Sequence, residues 1–179
     1  MALKATIHKA ELQIADMDRH YYHTHTLTIA RHPSENEERM MVRLLAFARH
    51  AGEALAFTKG LSTDDEPDIW QKSLSDEIEL WIELGQPDEK RIRKACGRAR
   101  QVFIYPYSGH SAEIWWQQSA PRLSSLNNLH VYSLPAPLRD QLTRLANKTM
   151  ALQVTIQDGE IWLSDGAQSV AIALDCWKT

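Results

Sequence analysis

A strand that passes directly into a helix between residues 77 and 99 most constrains how this chain can fold. Polar and apolar side chains alternate over residues 77–84, which predicts a strand with two distinct faces. Gly85 and Pro87 end that strand, and apolar residues then recur at helical spacing over residues 88–99. A strand followed at once by a helix indicates a fold in which helices pack on a sheet.

The rest of the chain also mixes strand and helix patterns. Further strands are predicted at residues 3–14, 20–31, 54–59, 101–106, 112–117, 129–133, 151–157, 160–164 and 169–174. A helix is predicted at residues 35–50, where Ser34 and Glu37 form a capping box. A helical turn is predicted around Ile69-Trp70, and a further helix around Leu138, Leu142 and Leu145. The predicted class is α/β or α+β. We expect one domain spanning residues 1–179, with a mixed β-sheet flanked by helices, an N-terminal hairpin and a C-terminal β-meander.

Composition and charge exclude several classes of protein. The 179 residues are 44% hydrophobic and 24% charged, as in an ordinary globular domain. A formal net charge of −3 gives no global attraction to nucleic acid, so a phosphate ligand would need a local basic patch. Cys96 and Cys176 do not make a disulfide framework and favour a reducing cytoplasm. No run is apolar enough to predict a signal peptide or a membrane span.

Three acidic residues are candidates for metal ligands. Glu83 closes the strand at 77–84, where a carboxylate can be held rigidly, although a solvated position on the polar face is the alternative. Asp68 ends an acidic loop whose mutual repulsion a divalent cation would relieve, although such loops are often simply solvated. Glu38 lies in the first turns of the first helix, where it can stabilise the helix dipole or serve a site.

The helix at 88–99 and its exit carry a dense set of cations: Lys90, Arg91, Arg93, Lys94, Arg98 and Arg100. These cations flank or oppose the apolar face, so they can form an anion-binding surface next to the carboxylates. The alternative is a solvated helix surface.

Histidines and tryptophans give weaker indications. One predicted strand carries a cluster of histidines that either binds a transition metal or simply lies on a surface strand. The members of the cluster are His20, His23 and His25. Three tryptophans are predicted to pack on a sheet, with base stacking as the alternative, and they are Trp115, Trp116 and Trp162.

Several segments together resemble the YaeQ family of bacterial proteins. They are MALKATI (1–7), RHPSE (31–35), ERMM (38–41), DDEP (64–67), LWIELG (80–85), IWWQQ (114–118), IQDG (156–159) and IWLSD (161–165). The resemblance extends from the first residue almost to the last. This family resembles a variant of the PD-(D/E)XK nuclease fold, in which a helix carrying a glutamate precedes a meander with two metal-binding acids, a helix and a strand.

The resemblance implies roles for particular residues. Asp68 and Glu83 are expected to hold Mg²⁺ or Mn²⁺, and Glu38 is expected to add a ligand or bind a metal-bound water. In the parent motif a lysine stands two residues after the second acid, where this chain has Gly85. A cation of the next helix would have to replace it, with Lys94 the first choice and Lys90 and Arg91 behind it.

Two functions remain open from the sequence. One is metal-assisted phosphodiester hydrolysis, with DNA or RNA bound through Lys90, Arg91 and Lys94. The other is a catalytically inactive binding module that uses the same cleft for nucleic acid, nucleotide or protein, because a fold alone does not decide activity.

Overall fold

The computed structural model describes residues 4–58 and 65–179, and over these residues it contains eleven strands and four helices. The strands are β1 (Thr6–Asp16), β2 (Tyr21–Arg31), β3 (Leu55–Phe57), β4 (Ile69–Lys72), β5 (Ile78–Leu84), β6 (Ala99–Tyr105), β7 (Leu129–Ser133), β8 (Thr149–Gln157), β9 (Glu160–Ser164), β10 (Ser169–Ile172) and β11 (Asp175–Lys178). The helices are α1 (Glu37–Arg49), α2 (Glu89–Arg98), α3 (His110–Leu123) and α4 (Ala136–Thr143).

The described residues form two compact units, each built on one mixed sheet. The first unit covers residues 4–49 and 137–173, and the second covers 50–58, 65–136 and 174–179. The mixed α+β class is therefore confirmed, with two mixed sheets where one was expected. The organisation of the chain as one domain stays a prediction.

The first unit is built on a sheet with the strand order β10-β9-β8-β1-β2. The predicted N-terminal hairpin is confirmed, since β1 and β2 pair antiparallel along their length, whereas β1 and β8 run parallel. Side chains of β1 alternate strictly, with Leu12 and Ile14 buried and Glu11 and Gln13 exposed. Helix α1 buries every residue from Met40 to Ala48.

The C-terminal meander β8-β9-β10 is also confirmed. Asp158 and Gly159 form the turn between β8 and β9 with φ values of 53° and 78°, as a two-residue hairpin turn of this kind requires. The Asp18 carboxylate accepts both of their backbone N–H groups, at 2.8 and 2.9 Å. This contact fixes the turn to the end of the N-terminal hairpin.

The second unit is built on a sheet with the strand order β11-β7-β6-β5-β4-β3, in which β5, β6 and β7 run parallel. Helix α2 connects β5 to β6, so the strand and helix predicted from residues 77–99 are confirmed as consecutive elements of this sheet. Apolar residues of β5, β6, β7, α2 and the end of α3 form one core, with Trp115, Trp116 and Trp177 half-buried against it.

Two sequence assignments in this unit are wrong. Residues 112–117 belong to helix α3, because Ala112, Trp115 and Trp116 are spaced three and four residues apart and so share one helical face. Trp115 and Trp116 therefore lie on a helix. Ile69 and Trp70 lie in β4, where their β-branched and aromatic side chains pair with Ile82 and Trp81. Strand β11 was not predicted.

The predicted capping box of the first helix is also wrong. The Asn36 side chain accepts the backbone N–H of Arg39 at 2.8 Å, whereas Ser34 Oγ lies 2.7 Å from Nδ1 of His32. Asparagine caps a helix as effectively as serine, so α1 begins two residues later than the box implied. None of the helices in the described parts of the chain has both the length and the apolar composition needed to cross a membrane.

Candidate functional site

Asp68 and Glu83 lie at neighbouring positions of the second sheet. Asp68 immediately precedes β4, and its backbone N–H donates to the carbonyl of Ile82 in β5 at 3.1 Å. Its Oδ2 atom accepts the backbone N–H of Leu84 at 2.9 Å, so its side chain is fixed against the end of β5. Glu83 is the penultimate residue of that strand. The structure thus brings together two of the three predicted acids, both buried.

Glu83 binds a cation of helix α2 directly. Its Oε1 atom accepts Nε of Arg91 at 2.7 Å and the indole Nε1 of Trp81 at 2.9 Å. Arg91 is positioned by the start of the helix, where the Asp88 side chain caps the backbone N–H of Arg91 at 2.8 Å. The N-terminal turn of α2 therefore holds the guanidinium at the end of β5.

The pKa of the Glu83 carboxyl is raised, because the effect of burial exceeds that of its hydrogen-bonding and charged partners. Burial raises the pKa of the Glu83 carboxyl, and the negative charge of Asp68 raises it further. The Arg91 guanidinium and the Trp81 indole act against that rise. Two neighbouring buried carboxylates attract positive charge, because a cation relieves their mutual repulsion.

The two carboxylates fit part of a magnesium shell. Mg²⁺ is commonly held by one or two carboxylates together with waters and phosphate oxygens of a substrate. Asp68 and Glu83 can supply those carboxylates. Within residues 4–58 and 65–179, no group of three or more His, Cys, Asp or Glu side chains is arranged to hold a metal.

Lys94 and Arg98 bind the last part of the acidic loop. Lys94 Nζ contacts Asp65 Oδ1 at 3.0 Å, and Arg98 donates to the Asp65 carbonyl at 2.8 Å. Arg91 also donates, through Nη2, to the carbonyl of Glu66 at 2.8 Å. The hydrogen bond from Lys94 lowers the pKa of the exposed Asp65 carboxyl. One row of cations on α2 thus holds residues 65 and 66, while Asp64 lies outside the described residues.

Gly85 stands where the sequence resemblance would place a motif lysine, and its backbone conformation disfavours that residue. Its φ of 91° lies in the left-handed region, which residues with a Cβ atom seldom adopt, and its N–H donates to the carbonyl of Tyr105 at 2.9 Å. A lysine here would strain the backbone. The sequence ranked Arg91 behind Lys94 as a replacement, and the structure brings Arg91 to Glu83 and Lys94 to Asp65.

The sequence could have indicated that Arg91 lies close to Glu83. Asp88 is a strong helix N-cap residue, and Arg91 stands at the third helical position after it, close to the preceding strand end. The role of Trp81, two residues before Glu83 on the same strand face, also follows from strand periodicity. Both signals were present.

Glu38 belongs to the first unit, in the first turn of α1. Its Oε1 atom lies 3.2 Å from Nε of Arg139, with both side chains about a quarter exposed. Arg139 therefore gives Glu38 a positively charged neighbour within the first unit. The convergence of Glu38 with Asp68 and Glu83 stays a prediction.

The histidine cluster lies at the start of β2. The rings of His23 and His25 are 4.8 Å apart, and His25 Nε2 lies 2.7 Å from the hydroxyl of Tyr21. Partial burial lowers the pKa of His25, and the neighbouring His23 lowers it further. His20 lies in the preceding turn with a φ of 55°. These contacts support a packed aromatic cluster on a sheet edge.

Comparisons with known proteins agree on one family. A family model described as "YaeQ protein" matches residues 1–174. The chain is 50% identical to "Uncharacterized protein YaeQ" of Salmonella typhi and 48% identical to that of Escherichia coli (strain K12), in each case over 99% of this chain and 98% of the relative.

Two solved structures are similar over nearly their whole length. The crystal structure of YaeQ protein from Xanthomonas axonopodis pv. citri has a TM-score of 0.94 and 46% identity, and covers 98% of this chain and 99% of that chain. The crystal structure of YaeQ protein from Pseudomonas syringae has a TM-score of 0.93 and 35% identity, and covers 98% of this chain and 97% of that chain.

Proposed function

We propose a function from the premise that this chain belongs to the YaeQ family. The proposed function is divalent-metal-dependent hydrolysis of phosphodiester bonds in nucleic acid, in the cytoplasm. The observation that carries the proposal is the group formed by Asp68, Glu83 and Arg91 at the end of β5. Two buried acids next to a guanidinium are the residue types that a metal ion and a phosphate require together.

The order of elements supports a PD-(D/E)XK-like arrangement. Asp68 precedes β4, Glu83 closes β5, α2 follows, and β6 pairs parallel to β5. This is the order of acids, helix and strand that the resemblance implies. Arg91 takes the place of the motif lysine, since Gly85 is unsuited to it.

Asp68 and Glu83 would hold Mg²⁺ or Mn²⁺, which when bound lowers the pKa of water and neutralises charge on the phosphate. The chain's own residues would do the rest. Arg91 would donate to a non-bridging phosphate oxygen, which a planar guanidinium does in bidentate geometry. Lys90 and Lys94 would contact neighbouring phosphates of DNA or RNA.

The test is an assay of purified protein on single-stranded and double-stranded DNA and RNA with Mg²⁺ or Mn²⁺. Glu83→Gln removes the charge of a proposed ligand while conserving its shape. Glu79→Gln makes the same change on the same strand, at a half-buried residue outside the proposed site. Activity in the wild type and in Glu79→Gln, with loss in Glu83→Gln, supports the proposal. Equal activity in all three identifies a contaminant and overturns it.

A second candidate function is a binding module without catalysis. The observation in its favour is the ion pair itself, because Arg91 already supplies Glu83 with a positive partner. If the wild type binds nucleic acid but cleaves none of these substrates in the presence of bound metal, the binding module replaces the hydrolase.

A further inference from the structure

Four strands form the edges of the two sheets in the described part of the chain, and one of them is much longer than the others. Strands β3, β10 and β11 contain three, four and four residues. Strand β2 contains eleven residues, and all of them pair with β1. Natural proteins often keep edge strands short, because the unpaired backbone groups of a long edge can pair with another chain. Strand β2 lacks that protection.

The other common protections of an edge strand are also missing from β2. Its pairing with β1 runs from Tyr21 to Arg31 without a bulge, so the edge is regular. It contains no proline and no lysine, and its only formal charge is Arg31 at its end. In the described part of the chain, no strand pairs with its other side, although the carbonyl of Ala30 accepts Nη2 of Arg43 at 3.2 Å. Strand β2 can therefore pair with a further strand along most of its length.

The side chains of β2 favour such pairing. More than half of its residues are aromatic or β-branched, which are the types that strands prefer. Thr24, Thr26 and Thr28 are exposed on one face of the strand. On the other face, Ile29 is buried and Leu27 is half-buried. A strand added at this edge would remove more of Leu27 from water, which favours association.

The sequence of β2 fits an antiparallel copy of itself. Pairing over the whole strand places a two-fold axis at Thr26, its central residue, so that Thr26 faces Thr26 of the second copy. Thr24 of each copy then faces Thr28 of the other, which gives a row of threonine pairs on the exposed face. On the opposite face, His25 meets Leu27. Cross-strand threonine pairs are stabilising, so this register is self-complementary.

The charges near β2 do not oppose this pairing. Arg31 would face the uncharged Tyr21 of the second copy. Glu11 of β1 lies opposite Thr26, so the Glu11 residues of the two copies would be three strand spacings apart, about 14 Å. That distance exceeds the screening length of about 8 Å at physiological salt. An acidic or basic peptide, in contrast, would find no counter-charge on β2 before Arg31.

We propose that β2 is the interface of a two-fold symmetric dimer of this chain. The β2 strands of the two copies pair antiparallel and join the two five-stranded sheets into one continuous sheet. About ten backbone hydrogen bonds form along the paired strands. The proposal is independent of the proposed hydrolase function, because the interface uses only the first unit.

Analytical ultracentrifugation of the full-length protein tests the proposal. The wild type should sediment with twice the 20.5 kDa mass of one chain. In Thr26→Lys the introduced lysine lies opposite Glu11 within its own chain, which keeps the monomer stable, but it faces its own copy across the two-fold axis. This substitution should weaken the dimer at least about 10-fold, because it brings like charges together at the centre of the interface.

Ala151→Lys is the matched control. Ala151 is exposed on β8 and pairs with Glu11 from the other side, so the same charge is added next to the same carboxylate but within the sheet. Its dimer should have the affinity of the wild type. An equal mixture of Thr26→Lys and Thr26→Glu should form mixed dimers that are tighter than those of either variant alone, because opposite charges then meet at the axis.

A wild type that remains monomeric at about 1 mM overturns the proposal and leaves the edge of β2 to an extended segment of a different protein. A dimer that is equally stable in Thr26→Lys also overturns it, because the interface would then lie elsewhere. The same holds if Ala151→Lys weakens the dimer as much as Thr26→Lys does, or if the mixture of the two Thr26 variants gains no affinity.

Discussion

Arg91 of helix α2 donates through Nε to Oε1 of Glu83 at the end of β5, across 2.7 Å. The same guanidinium also donates to the carbonyl of Glu66. A single side chain therefore connects the strand end, the helix start and the remainder of the acidic loop. This relationship gives Glu83 a positive partner and places a guanidinium next to two buried acids.

Removing that partner should destabilise the protein. Arg91→Met leaves the buried Glu83 carboxylate without its cation, and we expect a loss of about 1–3 kcal/mol in the free energy of unfolding. That value is below the full penalty for a broken buried pair because Arg91 is a quarter exposed. Urea denaturation measures it.

Arg93→Met is the control for this prediction. Arg93 lies on the same helix but pairs with Glu89 at a more exposed position, so its loss should change stability by less than about 0.5 kcal/mol. Adding Glu83→Gln to Arg91→Met should recover part of the loss, because the uncompensated charge of Glu83 is then removed as well. Equal effects of the two arginine substitutions would contradict the prediction.

The raised pKa of Glu83 predicts a pH dependence of stability. The folded protein binds this proton more tightly than the unfolded chain does, so the stability that the carboxyl contributes is complete below its unfolded pKa, about 4.3. This contribution to stability is lost as the pH rises through the higher pKa that Glu83 has in the folded protein. Glu83→Gln does not titrate.

The difference in Tm, Glu83→Gln minus wild type, should therefore be more positive at about pH 7 than at about pH 4. Thermal unfolding of both proteins across this range measures it, with Glu79→Gln as the reference for a half-buried glutamate of the same strand. A Tm difference that stays constant, or that falls as the pH rises, would show that burial does not raise the pKa of the Glu83 carboxyl.

Gly85 should resist replacement by the motif residue. Gly85→Lys places a Cβ atom at a φ of 91°, which should cost about 1–2 kcal/mol of stability, although nothing within 4 Å would clash with that atom. Gly97→Ala, within α2 and equally uncrowded, should instead stabilise by up to about 1 kcal/mol. A stable Gly85→Lys protein would mean that the backbone does not exclude the lysine.

The cations of helix α2 should contribute to the affinity of the protein for DNA or RNA. Lys94→Glu should weaken binding and reduce the slope of log affinity against log salt by about one unit per lost phosphate contact. Lys148→Glu makes the same charge change in the first unit and should alter the slope less. If the wild type shows no salt-sensitive binding, the cations of α2 serve only to hold residues 65 and 66.

Local patterns predicted much of the fold. Strand alternation and turn residues located the N-terminal hairpin, β5, α2 and the C-terminal meander, since each depends on neighbours in sequence. Helix α3 was missed because an aromatic run at Trp115-Trp116 is compatible with a strand until its packing is known.

Part of the candidate site could also be predicted. Asp68 was identified from an acidic loop and Glu83 from a strand end, and the structure bonds the Asp68 carboxylate to the backbone of Leu84, the residue after Glu83. The sequence favoured Lys94 as the cation next to Glu83, whereas in the structure Arg91 contacts Glu83 and Lys94 contacts Asp65. Which of the two reaches Glu83 depends on which side of α2 faces β5. That is set by tertiary packing, which the residue spacing alone did not determine.

Binding of Mn²⁺ tests the central claim most directly, because it does not depend on the choice of substrate. Isothermal titration calorimetry should show one weak site in the wild type. Asp68→Asn keeps an oxygen acceptor for the backbone N–H of Leu84 but removes the charge, and should weaken binding at least about 10-fold. Glu83→Gln should do the same, and Glu79→Gln should not. Undiminished binding in both Asp68→Asn and Glu83→Gln would contradict the account.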